Sequence, residues 1–416
     1  MKVTILNAHS TLNPGDTGIV LGQISFLRKY FPGIAISITS RTPEIDRSFY
    51  EPLGIRVLEP FLPAPSNFPD RKVRGFIKNL LNLRAKVEVF RTLLESTLVF
   101  LSGGGYFYSY RRSFPGPTFF QDLVSPILAA TLRKPIVFFP QSIGPFRNPF
   151  AILATRKIIE SDRVRRVFLR ERVSLDNLTK IVKEKDRSKL ALCPDMAFLI
   201  EEAALKEFNF REEIALPKPL LGLTLREWTF PSYTREKGEM MRKAYLNSLV
   251  EIAMSFYAQF KGSILIIPQV WGPGSFEDDR PISKEFYLGL KEKIPEENLC
   301  LFDNDEVLSP YYLIKLFSMC DIFIGTRFHS CIFAFLAGVP FISIGYQHKS
   351  SGIMEMLGLG RFSLDISEVS KEMVISLIEE ILNHPEEIRS SLRRNMELIK
   401  NETENILLKE VVQFLS

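Results

Sequence analysis

Cysteine is scarce in this chain, with four in 416 residues, Cys193, Cys300, Cys320 and Cys331, and no C-x-x-C pair among them. That excludes a paired-cysteine zinc framework and a disulfide scaffold, and it fits the reduced thiols of the cytoplasm. The densest acidic cluster, Glu277-Asp278-Asp279, has no histidine or further acid at ligand spacing, so it reads as a solvated loop and no metal is expected. Charge of one sign is not in large excess. A net charge of +5 suits small anionic substrates or a membrane surface, and it argues against a nucleic-acid partner. The 34 phenylalanines are dispersed through apolar strands and form no stacking platform for bases. The longest apolar stretch, Ile332 to Ile344, is interrupted by Gly338 and Pro340 and is too short to span a bilayer. The first residues run directly into a strand pattern, without the features of a signal peptide. A soluble, cytoplasmic protein is the expectation. Short tandem repeats and low-complexity tracts are absent as well.

What is present is an alternation of apolar strands with helices, repeated twice. Val3 to Asn7, Ala35 to Thr39, Thr97 to Leu101, Ile136 to Phe139, Val167 to Leu169 and Leu190 to Leu192 read as strands of one α/β sheet, with a helix from about Thr17 to Tyr30. A second series follows at Leu220 to Leu225, Ser263 to Pro268, Leu299 to Leu301, Ile322 to Ile324 and Phe341 to Ile344. The length exceeds a usual single core, so two α/β domains are expected, residues 1–205 and 206–416. The segment Glu201 to Lys218, mixed in charge and holding Pro217, is the expected linker. Lys371 to Asn383 and Pro385 to Lys400 read as terminal amphipathic helices, the last of them able to cross back onto the first domain.

Candidate site residues cluster where strands end. Gly325-Thr326-Arg327-Phe328-His329 breaks an apolar run and delivers an arginine and a histidine between a strand's carboxyl end and a helix's amino end. Open α/β sheets bind ligands there, and free backbone N–H groups favour anions. Taken alone, such a pair is more often a surface ion pair or a cap than a catalytic group. Lys349 follows the next strand, and Arg226 and Arg170 each follow another, so cations recur at strand ends. Arginine binds carboxylate or phosphate bidentately and lysine binds it as a point charge. Asn13-Pro14-Gly15-Asp16 lies between the first strand and helix. Asp16 reads first as a helix N-cap with Gly15 making the turn, and alternatively, with Asn13, as a contact to sugar hydroxyls. The glycines Gly103, Gly104 and Gly105 would let a ligand approach the backbone, although the loop matches neither the dinucleotide fingerprint nor the Walker A pattern. Gln141-Ser142-Ile143-Gly144-Pro145 ends another strand, and a turn is its plain reading. His9 carries little signal.

In order along nearly the whole chain, these motifs resemble the polysaccharide pyruvyl transferase family. The resemblance rests on Asn13-x-Gly15-Asp16, Gly103-Gly104-Gly105, Gln141 to Pro145, Leu169-Arg170-Glu171, Cys193-Pro194-Asp195, Leu225-Arg226, Ile267-Pro268-Gln269, and Gly325 to His329 with Lys349 downstream. It implies a glycosyltransferase-B-like fold of two Rossmann-type domains, the first on the acceptor side. It also implies transfer of a pyruvyl group from phosphoenolpyruvate to two hydroxyls of one sugar, giving a cyclic ketal and phosphate without a cofactor. Under it, Arg327, Lys349 and Arg226 hold the donor and His329 is the general acid. Arg170, Asn13, Asp16, Gly104, Gly105, Gln141 and Gln269 are the further expected substrate contacts. The acceptor is a sugar of a polysaccharide or of its polyprenyl- or nucleotide-linked precursor. The competing readings are a glycosyltransferase using a nucleotide sugar and a non-catalytic glycan- or phosphate-binding protein. Two features align with no family motif. One is the aromatic, arginine-containing loop Tyr106 to Phe114. The other is the stretch Arg71 to Arg91, whose basic and apolar residues interleave. That stretch reads either as a helix lying on a membrane surface or as one packed on its own domain with a basic outer face.

Overall fold

A computed structural model describes residues 1–62, 82–211, 214–230, 233–274, 277–304, 306–345, 352, 354–355 and 357–415. The chain divides into two compact units. The first comprises Met1–Thr11, Asp16–Glu201 and Lys400–Ser416, and the second Leu12–Gly15 and Glu202–Ile399.

The first unit is built on strands β1 (Lys2–Ala8), β2 (Ala35–Ser40), β3 (Arg56–Leu58), β4 (Leu98–Leu101), β5 (Gly104–Ser109), β6 (Ile136–Phe146), β7 (Val164–Leu169) and β8 (Leu190–Leu192). Between them run α1 (Pro14–Tyr30), α2 (Pro43–Tyr50), α3 (Leu83–Glu95), α4 (Pro117–Thr131), α5 (Pro149–Ile159) and α6 (Arg172–Ile181). The strands lie in the order β3-β2-β1-β4-β6-β7-β8, all parallel, with β5 added on β6. Helices cover both faces of a parallel sheet, so its central strands have no polar side. Accordingly Ile5, Phe100, Val137 and Phe139 are fully buried, and Phe100 stacks on Phe139 at 4.4 Å.

In the second unit, α7 (Glu202–Glu207) leads to β9 (Leu220–Thr224), α8 (Arg235–Phe260), β10 (Ser263–Ile266), α9 (Arg280–Leu290), β11 (Leu299–Leu301), α10 (Pro310–Phe317) and β12 (Ile322–Gly325). It continues through α11 (Phe328–Leu336), β13 (Phe341–Gly345), β14 (Ser363–Asp365), α12 (Lys371–Asn383) and α13 (Pro385–Leu415). The sheet order is β11-β10-β9-β12-β13-β14, again parallel. The carboxyl-terminal part of α13 belongs to the first unit. Thr403, Leu407 and Val411, spaced four apart, are completely buried, and Lys29 and Tyr30 bind Glu404 at 2.7 and 2.6 Å. Each buried Leu or Val contributes about 1.5–3 kcal/mol, whereas an exposed pair such as Lys29–Glu404 contributes under about 1 kcal/mol, so the apolar face is the stronger attachment.

Two expectations change. The Gly103-Gly104-Gly105 segment opens directly into β5, and Gln141 to Pro145 continues β6 where a turn was expected. In both, an additional parallel pairing, Gly104 with Gln141 and Phe107 with Ile143, satisfies backbone groups that a turn would have left open.

Candidate functional site

In each sheet the strand order reverses once, between β1 and β4 and between β9 and β12, and the crevice beyond those carboxyl ends is where this architecture holds ligands. In the second unit the ends of β9 and β12 are tied together. Thr326 Oγ1 donates to the Thr224 carbonyl at 3.0 Å, and Thr224 Oγ1 and Ser330 Oγ lie 3.0 Å apart. Arg226 follows β9 and sits over the Trp228 ring, 5.4 Å from its centroid. Arg327 occupies the position preceding α11 and His329 is the helix's second residue, where free N–H groups and the helix dipole favour an anion.

The structure assigns Arg327 a different partner from the one expected. Its Nε and Nη2 donate to the two Asp279 carboxylate oxygens at 2.7 and 2.6 Å, and Nη2 also donates to the Glu277 carbonyl at 2.7 Å. Both residues are buried, Asp279 completely. The fork expected to take a ligand's carboxylate or phosphate therefore takes an internal carboxylate, because a buried guanidinium needs a hydrogen-bonded counter-charge. Asp279 is correspondingly not part of a solvated loop. It also accepts from Val270 N at 3.0 Å, fixing the segment that follows β10. Burial pushes its carboxyl pKa up, opposed by the Arg327 charge beside it.

The segment Leu12–Gly15 brings Gly15 against the His329 side chain. Trp271 N donates to the Leu12 carbonyl at 2.9 Å, and the Asn13 side chain accepts from Gly15 N at 3.1 Å. Asn13, not Asp16, therefore caps the start of α1. A Cβ on Gly15 would lie 2.6 Å from His329 Cγ and closer still to Nδ1, so only glycine leaves room for the imidazole. Gln269, one residue before Val270, is 1% exposed. Its amide nitrogen and oxygen have no hydrogen-bond partner among the described residues, a costly arrangement for a buried amide. Lys349 lies outside the described residues.

The first unit presents a second set of polar groups at its own strand reversal. His9 follows β1, its Nδ1 3.4 Å from Asp16 Oδ2 and its ring 5.3 Å from that of Tyr106. Nε2 of His9 is buried with no partner among the described residues. Arg41 Nη2 binds both oxygens of Asp122 at 2.8 and 2.7 Å, and burial raises the Asp122 pKa against the opposing charge of Arg41. Gln141 Nε2 donates to the Ser102 carbonyl at 2.7 Å and to Tyr106 Oη at 2.8 Å, bracing the glycine segment. Its Oε1 has no partner among the described residues. Gly104 adopts φ +118, a conformation that disfavours any side chain, and a Cβ there would be 3.9 Å from Asp16 Oδ1; Gly105 follows it, half-buried. Arg170, expected as an anion contact on the rim, is buried instead. It donates to Asp195 Oδ2 at 2.7 Å and to Ser142 Oγ at 2.6 Å, with Glu171 3.6 Å away, so internal carboxylates match its charge.

Sequence reading missed His9, Arg41, Asp122 and the role of Asp279. His9 stands one residue past Ala8, the last apolar position of the first strand, and that position was the available signal. Arg41 and Asp122 are 81 residues apart, and only the fold pairs them.

Two such parallel sheets, each reversing its strand order once, define a protein of glycosyltransferase-B-like fold. The chain belongs to the polysaccharide pyruvyl transferase family, whose model matches residues 13–348, and is a transferase of polysaccharide pyruvylation at the level the family defines. It is 26% identical over 424 residues to the amylovoran biosynthesis protein AmsJ of Erwinia amylovora, covering 95% of this chain and 96% of that protein. Solved structures share the fold. The UDP-GlcNAc 2-epimerase of Neisseria meningitidis, bound to UDP-GlcNAc, superposes with a TM-score of 0.57 at 14% identity, covering 99% of this chain and all of that one. Anabaena Alr3699/HepE, in complex with UDP and glucose, gives 0.57 at 12% identity, covering 100% and 99%.

The Gly15 contact gives a direct check. Gly15→Ala places a methyl group where the His329 imidazole lies, while alanine is otherwise favourable in a helix. Pyruvyl transfer is expected to fall by about 10²-fold, the scale of a roughly 1 Å misplacement, with the melting temperature unchanged. Undiminished transfer would show that Gly15 does not set the imidazole's position.

Proposed function

We propose that the protein transfers the pyruvyl group of phosphoenolpyruvate to two hydroxyls of one sugar of a polysaccharide precursor, forming a cyclic ketal. The observation carrying this reading is His329 on the first turn of α11, beside the end of β9 that bears Arg226, in a chain of this family. Phosphoenolpyruvate needs a proton at its methylene carbon and cations around its phosphate and carboxylate. His329 is suited to the first task, and Arg226, Lys349 and the amino end of α11 to the second. Arg327 acts through Asp279 as a positioning residue for His329. Gln269, buried and with no partner among the described residues, is a polar contact for the donor.

The acceptor is assigned to the first unit, where Asp16 orients His9 toward a sugar hydroxyl and Gln141 offers its Oε1 as acceptor. Protonation of the methylene carbon by His329 leaves positive character at the carbon bearing phosphate. The first hydroxyl oxygen bonds to that carbon and gives up its proton. The C–O bond to phosphate then breaks, and the second hydroxyl closes the ring. Of the two hydroxyl protons consumed, one balances the new methyl group and the other leaves with hydrogen phosphate. A polysaccharide precursor, like that implied by the amylovoran biosynthesis relative, is the acceptor class.

Phosphate release from phosphoenolpyruvate that depends on a sugar acceptor, with the acceptor gaining one pyruvic acid less one water, is the expected result. Turnover with a nucleotide sugar and none with phosphoenolpyruvate would replace this reading with a glycosyltransferase. Saturable binding without turnover of either would leave a binding protein. A chelator is expected to leave the rate unchanged. Asp279 is committed to Arg327, and no group of three or more His, Cys, Asp or Glu among the described residues is arranged to hold a metal. Loss of activity in chelator, recovered by magnesium, would overturn that expectation.

A further inference from the structure

The helices α3, α4 and α5 pack on one face of the first sheet, sharing a core that includes Val89, Leu93, Phe119, Leu123, Ala151 and Ile158. Their outer surface is unusually apolar. On α3, Leu83, Val87, Phe90 and Leu94 are 74%, 48%, 40% and 49% exposed, and their 4-3-4 spacing makes one stripe along the helix. Arg84 and Arg91, one heptad apart, flank the stripe and are exposed, while the acids Glu88 and Glu95 are paired with Arg56 and Lys2. Between β5 and α4 the loop Tyr110-Arg111-Arg112-Ser113-Phe114 is exposed throughout. Its Phe114 ring reaches Phe120 on α4 at 5.7 Å, and Phe120 reaches the exposed Phe150 on α5 at 5.5 Å. The loop is fixed in place, since Asn148 Nδ2 donates to the Arg112 carbonyl at 2.7 Å and Asn148 N to Ser109 Oγ at 3.0 Å.

We propose that this helical layer is the surface by which the protein binds an anionic lipid bilayer, lying on it without crossing it. An apolar stripe flanked by arginines, together with a fixed loop of aromatic rings bracketing an arginine pair on the same unit, matches the apolar and the anionic zones of a membrane interface. No helix among the described residues is long and apolar enough to span a membrane. A second copy of the chain is the poorer occupant, because a two-fold contact would set Arg84, Arg91, Arg111 and Arg112 near their own equivalents. Of the basic stretch singled out in the sequence, Arg71 to Leu81 lies outside the described residues. The surface is argued from Leu83 onward. It stands apart from the pyruvyl-transfer reading, and its test needs neither donor nor acceptor.

The test is cosedimentation of the full chain with vesicles of phosphatidylcholine alone and of phosphatidylcholine with phosphatidylglycerol. The wild type is expected to bind the anionic vesicles selectively. Binding should weaken at about 1 M salt, where the Debye length falls to about 3 Å. Replacing Leu83, Val87, Phe90 and Leu94 together by serine, or Arg111 and Arg112 together by glutamine, should each cut partitioning by about tenfold or more at an unchanged melting temperature. Leu398→Ser, at a position 65% exposed in the second unit, should not alter it. Absence of wild-type binding, or variants that bind as the wild type does, would overturn the proposal. So would a dimer in sedimentation velocity that the serine variant dissolves, because a second copy would then cover this face.

Discussion

His329→Ala is expected to lower pyruvyl transfer by about 10²–10⁴-fold, the usual contribution of a general acid, while leaving the fold and phosphoenolpyruvate binding in place. The fold should survive because the histidine is only half-buried, on the first turn of α11. Binding should survive because the donor's charges are met by other groups, Arg226 and the helix amino end among them. Steady-state kinetics, with donor affinity measured separately by calorimetry, distinguishes the outcomes. A fall in kcat at near-constant affinity identifies proton transfer. A well-folded variant with near-wild-type turnover removes His329 from the mechanism, and loss of affinity alone makes it a binding group.

The second large effect concerns the Arg327–Asp279 pair. Asp279→Ala strands a buried guanidinium, and the second unit is expected to lose about 3–5 kcal/mol of stability, read by denaturant unfolding. Arg327→Lys keeps the charge but not the fork, so it cannot hold both Asp279 oxygens and the Glu277 carbonyl at once. It is expected to lower kcat more than it raises the KM for phosphoenolpyruvate, because the damage reaches the substrate through the start of α11. The double change Arg327→Met with Asp279→Leu removes both charges and should recover much of the stability without recovering turnover. If Arg327→Lys instead raises KM and spares kcat, the arginine touches the donor directly. Wild-type stability of Asp279→Ala would show that the pair is not a clamp.

Much of the fold was legible because a buried parallel strand must be apolar on both faces, and such runs stand out. Leu190–Leu192, Leu299–Leu301 and Lys371–Asn383 were read to the residue. The short strands β3 and β14 escaped because polar residues, Arg56 in one and Ser363 and Asp365 in the other, leave no apolar run of the kind that marks Leu190–Leu192 and Leu299–Leu301. The strand β5 escaped because its glycines read as a loop until a partner, β6, is present to pair with them. At the site, composition identified which residues carry chemistry but not whether they face a ligand or each other. Arg327 and Arg170 both looked like anion receptors, and both are engaged by buried carboxylates 48 and 25 residues away.

The sequence by itself determined the two parallel α/β series, the family, and the placing of an arginine and a histidine at the end of β12. Those are local properties: apolar runs, their spacing, and the residues that interrupt them. Tertiary structure alone decided that Asp279 answers Arg327, that Asn13 rather than Asp16 caps α1, that Gly15 makes room for His329, and that Asp16 is directed to His9. The Asp279–Arg327 and Gly15–His329 contacts depend on which distant segment arrives beside a side chain, whereas the Asn13 cap and the Asp16–His9 pair form within a few residues once the first turn is folded. A buried charge or an imidazole edge takes its role from the atoms within about 3–4 Å of it, and those atoms come from far along the chain.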